Sequence, residues 1–258
     1  MNLNIENKIA LVTGAGRGIG QGICQNLASE GAKIIAVSRG KEGLNDLYKK
    51  IDNHKNHLFL QKNLEVEEDV TSLIEYIKIH QLNPDIIVNN VGGNLDYTDP
   101  LKTLDGLKKV FRLNLEVSIE INEAFLPDMI KQKWGRICHI SSISALENQG
   151  PPSYCAAKAA LNAYVRSVGR YVSEHNVIMT TVMPGAVFTE GGYWDEKSQN
   201  DPDHVNKYLN ERMAIKRFGR IDEISSAVSF LCSDLSSFCV GTNMLIDGGQ
   251  GRVFYSGE

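Results

Sequence analysis

The sequence predicts a doubly wound α/β fold: a seven-stranded parallel sheet with helices on both faces. Short apolar runs recur along the chain without polar alternation, the pattern of strands covered on both sides. Amphipathic stretches with helical spacing separate them, so each connection is a crossover and successive strands run parallel. The first apolar run also ends in a glycine-rich turn that opens the first helix.

The elements follow in order. Lys8-Ile9-Ala10-Leu11-Val12 is too short and too apolar for anything but a buried strand. Residues 19–30 carry apolar positions at helical spacing, and Gly31 stops the helix. A second strand over 33–37 is followed by a helix over 44–51. A third strand over 57–61 precedes a helix over 66–80. The fourth strand, 85–88, ends at Asn89-Asn90. A long helical pattern runs over 104–131, then a fifth strand over 135–140. Pro151-Pro152 opens the next helix, which runs to about 174; proline is tolerated in a first turn because its missing N–H would be unpaired anyway. A sixth strand covers 177–182, a helix 221–232, and a seventh strand 243–246. The stretch 190–216 is polar, carries Tyr193 and Trp194, and has a helical piece near 204–213. It is too long for a simple connection, as lids and binding loops are. The chain therefore reads as a single domain, 1–258, with a lid insertion at about 190–216.

Bulk properties narrow the function. With 258 residues, 42% hydrophobic and 22% charged, the composition is that of a soluble globular chain. A net charge of −4 gives no reason to expect nucleic acid or an anionic membrane as partner. No apolar run approaches the ~20 residues that span a bilayer, and residues 1–8 lack the apolar core of a signal peptide. Five scattered cysteines, with no Cys-x-x-Cys pair, suit reduced thiols in a cytoplasm. No His/Cys/Asp/Glu cluster has metal-ligand spacing.

Two features carry chemistry. In Thr13-Gly14-Ala15-Gly16-Arg17-Gly18-Ile19-Gly20 the glycines permit a tight turn and close approach of a pyrophosphate. The following helix presents free N–H groups and a positive dipole end to that anion. Farther along, Tyr154 and Lys158 stand four residues apart, on one face of a helix. A nearby ammonium favours a phenolate, so the tyrosine is expected to be tuned downward from its usual pKa near ~10 and to donate and accept a proton near neutral pH.

The spacing Gly14, Gly18, Gly20 reads G-x-x-x-G-x-G. Together with Asn89-Asn90-Val91-Gly92 after strand four, Ser142 after strand five and Tyr154-x-x-x-Lys158, it resembles the short-chain dehydrogenase/reductase family, from Lys8 to Ile246-Asp247-Gly248-Gly249. The resemblance implies a Rossmann-type domain, a nicotinamide cofactor and a homodimer or homotetramer. Gly14, Gly16, Arg17, Gly18, Ile19 and Gly20 then hold the pyrophosphate, Asn90, Val91 and Gly92 line the cofactor groove, and Asn63-Leu64 stands where the family usually has Asp-Val beside the adenine. Pro184-Gly185-Ala186-Val187-Phe188-Thr189 matches the family's Pro-Gly-x-x-x-Thr segment, placing the Val187 backbone and the Thr189 hydroxyl at the nicotinamide carboxamide. At the tip of strand two, Ser38 replaces the acid that would bind the ribose of NAD. Arg39, with Arg17, can meet the 2′-phosphate of NADP, so NADP(H) is expected over NAD(H).

For catalysis the resemblance implies Asn114, Ser142, Tyr154 and Lys158. Tyr154 exchanges the proton, Ser142 holds the substrate oxygen, and Asn114 links Lys158 to a water relay. Counting from Gly135-Arg136 favours Ser142; counting back from Tyr154 gives Ser141, and the strand count is preferred because loops absorb deletions. His139 has no triad partner and reads as a packed or surface residue. Walls at 93–97, 144–152 and 190–216 bring Asn94, Glu147, Asn148, Gln149, Tyr193 and Trp194 to the pocket, which suits a polar, sugar-like carbonyl or alcohol. Reduction of 3-oxoacyl groups on a carrier is the alternative, with Lys216, Arg217 and Arg220 as the docking patch; a non-catalytic cofactor sensor or scaffold is the alternative of another class.

Overall fold

A computed structural model describes residues 2–52 and 54–252. The elements are β1 (Ile9–Thr13), α1 (Gly18–Ser29), β2 (Lys33–Ser38), α2 (Lys41–Lys50), β3 (Leu58–Gln61), α3 (Glu67–Ile79), β4 (Ile86–Asn89), α4 (Thr103–Phe111), α5 (Val117–Gln132), β5 (Gly135–Ile140), α6 (Pro152–Val172), β6 (Val177–Pro184), α7 (Tyr193–Asn200), α8 (Pro202–Arg212), α9 (Ile221–Leu231) and β7 (Asn243–Ile246). The strands form one sheet in the order β3-β2-β1-β4-β5-β6-β7, every pair parallel. The winding direction reverses between β1 and β4. A crevice opens beyond the carboxyl ends of those strands, where doubly wound sheets bind ligands.

Alternate residues of each strand enter opposite layers. Ala10, Val12, Ile34, Ala36 and Val88 pack under α1 and α9, against Ile23, Leu27, Ile224 and Val228. Leu11, Ile35, Ile87 and Ile137 pack under α3, α5 and α6, against Leu73, Ile77, Ile121, Phe125, Leu161 and Val165. Among the described residues, no helix is long and apolar enough to cross a membrane, and all five cysteines are free.

Two expectations change. The helical pattern over 104–131 is broken: α4 and α5 are joined by a π-helical turn, Arg112–Glu116. The Asn114 side-chain amide there donates to Val110 O at 2.8 Å and to Gly93 O at 2.8 Å. A side chain that takes the carbonyl one turn back disrupts the main-chain ladder and widens the turn. In the insertion, two helices stand where one was expected. α8 starts on Pro202, capped by Asp201 Oδ1, which accepts from the His204 N–H at 3.2 Å. α7 has no buried residue and no apolar stripe, so its sequence carries no helical period to read.

Candidate active site

The glycine turn is braced from below. Thr13 Oγ1 accepts from the Asn90 and Val91 N–H groups at 3.0 and 3.1 Å. Asn90 Nδ2 donates back to Thr13 O and Gly14 O at 3.0 and 3.1 Å. Both donors of Asn90 therefore shape the turn. Gly14 has a φ of +64°, and a Cβ on Gly20 would overlap the Gly14 carbonyl. Gly16 meets Gly43 of α2 so closely that a Cβ on Gly43 would overlap the Gly16 carbonyl. Arg17, the exposed N-cap of α1, makes no side-chain cap. The first-turn N–H groups of α1, at Gly18, Ile19 and Gly20, thus have no side-chain partner and can serve an anion.

At the tip of β2, Ser38 lies against Gly16. Arg39 is exposed and pairs with Glu65 at 2.9 Å, so holding a phosphate would mean exchanging that partner. The Asn63 N–H donates to Asp69 Oδ2 at 2.7 Å and its Oδ1 accepts from the Glu65 N–H at 3.3 Å. Leu64 is buried in the core, which leaves its backbone alone for an adenine. On the other side of the crevice, Pro184 ends β6 and the Gly185 N–H donates to Ile246 O at 3.0 Å. Val187 pairs with Gly219, and Thr189 stands over Gly18.

The proton-transfer groups converge between β5 and α6. Tyr154 and Lys158 share one face of α6, with Nζ 5.6 Å from the centre of the phenol ring. Lys158 is 2% exposed, and its Nζ donates to Ile140 O at 2.8 Å. Gly92 separates this ammonium from Asn114: a Cβ there would stand 3.0 Å from Nζ and 2.6 Å from Asn114 Oδ1. Asn114 Oδ1 accepts from the Gly93 N–H at 3.1 Å. The two serines separate cleanly. Ser141 Oγ is buried and donates to Lys158 O at 3.3 Å, away from the phenol. Ser142 is the serine that faces the phenol, near enough to favour its charged form; its Oγ donates to Ser144 Oγ at 3.1 Å.

The electrostatics differ from expectation. Burial pushes the Tyr154 phenol up to about 12, with the Ser142 hydrogen bond opposing it. Burial also drives the Lys158 ammonium down to about 7, halving its charge near neutral pH. The expected downward pull of lysine is not among the causes that act on the phenol, desolvation is the largest of them, and the phenol stands as a neutral acid. His139 is wholly buried, its Nε2 facing Asn122 Nδ2 at 2.9 Å, and burial holds it down at about 4, neutral.

A cleft of about 1320 Å³ opens over these groups. Asn94, Glu147, Asn148, Gln149, Tyr193 and Trp194 all line it, as expected. Tyr97 does not; its ring lies against Gly106 of α4. The expected docking cations are engaged locally: Arg217 with Glu223 at 2.7 Å, Arg220 with Asp222 at 3.0 Å, and Lys216 Nζ with Asn210 O at 2.6 Å. Sequence reasoning missed His204, Tyr208 and Gln250, which also line the cleft. The signal for Gln250 was its place just past β7, since loops beyond carboxyl strand ends line the crevice of such sheets.

The short chain dehydrogenase family matches over residues 8–199. The chain belongs to this family. It is an oxidoreductase acting between a carbonyl and an alcohol. Over 254 residues it is 32% identical to a 3-oxoacyl-[acyl-carrier-protein] reductase of Aquifex aeolicus, covering 97% of this chain and 100% of the relative. It is also 32% identical over 253 residues to L-xylulose reductase of Caenorhabditis elegans, covering 96% and 97%. Among solved structures, a 3-oxoacyl (acyl-carrier-protein) reductase from Agrobacterium tumefaciens C58 with NADP bound superposes with a TM-score of 0.88 at 30% identity, over 96% of each chain. The family's short-chain members thus include enzymes for both an acyl carrier and a small sugar.

Proposed function

We propose that this enzyme uses NADP(H) to interconvert a ketone and a secondary alcohol on a polar, sugar-like substrate. The observation that carries the reading is the convergence of Ser142 and Tyr154 in the cleft wall with Lys158 buried behind them, beside Gly92 and Asn114. The chain fits the cofactor on its own evidence: a glycine cradle at the head of α1 whose amides lack a side-chain cap, and an arginine instead of an acid beyond β2. The solved relative with NADP bound agrees. When bound, the nicotinamide supplies or takes up the hydride.

Ser142 donates a hydrogen bond to the substrate oxygen and fixes its distance from Tyr154. In the reductive direction the neutral phenol of Tyr154 gives its proton to that oxygen as negative charge develops there. A phenol near 12 is a ready donor to an alkoxide and holds its proton until the oxygen demands it. Lys158 then steadies the phenolate, and water held near Asn114, on the far side of Gly92, renews the proton from solvent. For oxidation the phenol must first give up its proton, so turnover in that direction is expected to rise with pH.

Residues 1–258 form one domain in this reading, with α7 and α8 as a lid. Aromatic rings on the lid and amides on the facing loop suit a compact substrate with one carbon face and one hydroxylated face. The exposed outer face of α6, with Tyr171 at 74% exposure, fits helix-to-helix pairing into a homodimer or homotetramer. Free cysteines fit a cytoplasmic setting. The second reading, reduction of 3-oxoacyl groups on a carrier, has the names of relatives in its favour, but the paired Arg217 and Arg220 offer a carrier little free positive charge.

The test is NADPH oxidation against keto-sugars, steroid ketones and 3-oxoacyl thioesters. Turnover is expected with a keto-sugar, and Tyr154→Phe is expected to lower kcat by about 10²–10⁴-fold with NADPH binding intact. Preference for NADH, preference for a thioester, or full activity in Tyr154→Phe would each overturn the corresponding part.

A further inference from the structure

Gln250 is a polar side chain only 2% exposed, and its amide joins three separate walls of the cleft. Oε1 accepts from the Ala186 N–H at 2.7 Å, in the loop after β6. Nε2 donates to Tyr208 OH at 2.7 Å, on lid helix α8, and to Gln149 Oε1 at 3.3 Å, on the loop before α6. A primary amide offers two donors and two lone pairs, so three of four are committed, one to each wall. Its own backbone is fixed as well: the Gln250 N–H donates to Asp247 O at 3.1 Å, and Gly251 N–H to Asp247 Oδ2 at 2.7 Å. On the lid, the Tyr208 ring packs at a tilt against Trp194, ring centres 4.2 Å apart, so α7 follows α8. Arg252 adds a second tie from the same segment, Nη2 to Glu211 O at 2.8 Å.

We infer that Gln250 is a positioning residue: it clasps α8 to the loop that carries Val187 and Thr189 and so sets the closed geometry of the lid over the substrate cleft. This rests on reading 190–216 as a lid. Burying an amide is costly unless its hydrogen bonds are made. Here all of them cross between the lid, the loop after β6 and the loop before α6, with none spent inside the terminal segment. Opening the lid therefore breaks the Tyr208 bond first, while Ala186 and Gln149 keep the amide in place as a fixed landing point.

Hydrogen exchange on the whole protein tests this. Tyr208→Phe removes one hydroxyl; Gln250→Met keeps the volume and removes the amide. Both are expected to speed amide exchange across 193–212 about tenfold, with β5 and β6 unchanged. The double variant is expected to exchange no faster than Gln250→Met alone, because both remove one link. The NADPH dissociation constant is expected to hold within about twofold in Tyr208→Phe and to rise about tenfold in Gln250→Met, which also frees Ala186. Unaltered exchange, additive acceleration, or loosening that spreads into β5 and β6 overturns the clasp. The lid reading fails separately, if NADPH leaves exchange across 193–212 of the wild-type protein unaltered.

Discussion

Replacing Lys158 by methionine is expected to yield a more stable and inactive protein at neutral pH. Burial lowers this ammonium from its ordinary 10.5 to about 7. At about 1.36 kcal/mol per pH unit, that difference corresponds to about 5 kcal/mol, of which about 4 is felt at pH 7, where the folded protein holds the proton half the time. The unfolded chain binds more protons than the folded one between about 7 and 10.5, so wild-type stability rises with pH across that window and the penalty is full only below it. Methionine removes the charge and keeps the stem. It leaves Ile140 O without its 2.8 Å donor, at a cost of about 1–3 kcal/mol. The net gain at pH 7 is about 1–3 kcal/mol, or about 3–10 °C in Tm for a chain of this size. Thermal melts at pH 7 and at pH 10 are the assay. The gain is expected to shrink with pH and to reverse near 10, where only the lost hydrogen bond remains. Equal or lower stability of Lys158→Met at pH 7, or a difference that ignores pH, would refute the reasoning.

Ser142→Ala is expected to lower kcat about 10²-fold, whereas Ser141→Ala, whose hydroxyl only bonds Lys158 O, costs about 1 kcal/mol of stability and little activity; the reverse pattern in steady-state kinetics reassigns the role. Arg39→Asp is expected to move the kcat/KM ratio toward NADH by more than about tenfold, since a carboxylate repels a 2′-phosphate; an unaltered ratio defeats the NADP(H) reading. Gly92→Ala would push its methyl onto Asn114 Oδ1 and Lys158 Nζ; kcat is expected to drop at least about tenfold with the circular dichroism spectrum unaltered, and normal turnover would show that the path past Gly92 is not used.

The sheet was legible because Ile9–Thr13, Ile86–Asn89 and Val177–Pro184 are buried along nearly their whole length and leave no alternation to misread. The grouping of Ser142, Tyr154 and Lys158 was legible too, since strand end and helix spacing fix them. What could not be read depended on tertiary placement. The π turn at Asn114 needs Gly93 opposite it. The tyrosine was expected to titrate low because sequence shows a lysine near it but not the water excluded from both. Arg217 and Arg220 looked free because their partners, Asp222 and Glu223, matter only once the turn into α9 brings them together. Gln250 gave no motif, because its three bonds are to segments 42 to 101 positions away in sequence.

The abutment of Gly16 on Gly43 reaches beyond packing. Main chain meets main chain there, so neither the turn nor the start of α2 can retreat to make room for a bulkier dinucleotide. If the proposed cofactor site holds, evolution and engineers alike are left with side chains, Ser38 and Arg39 foremost, as the means of exchanging one coenzyme for another. Drift in coenzyme use within this lineage should therefore be recorded at those two positions, over a scaffold that does not shift.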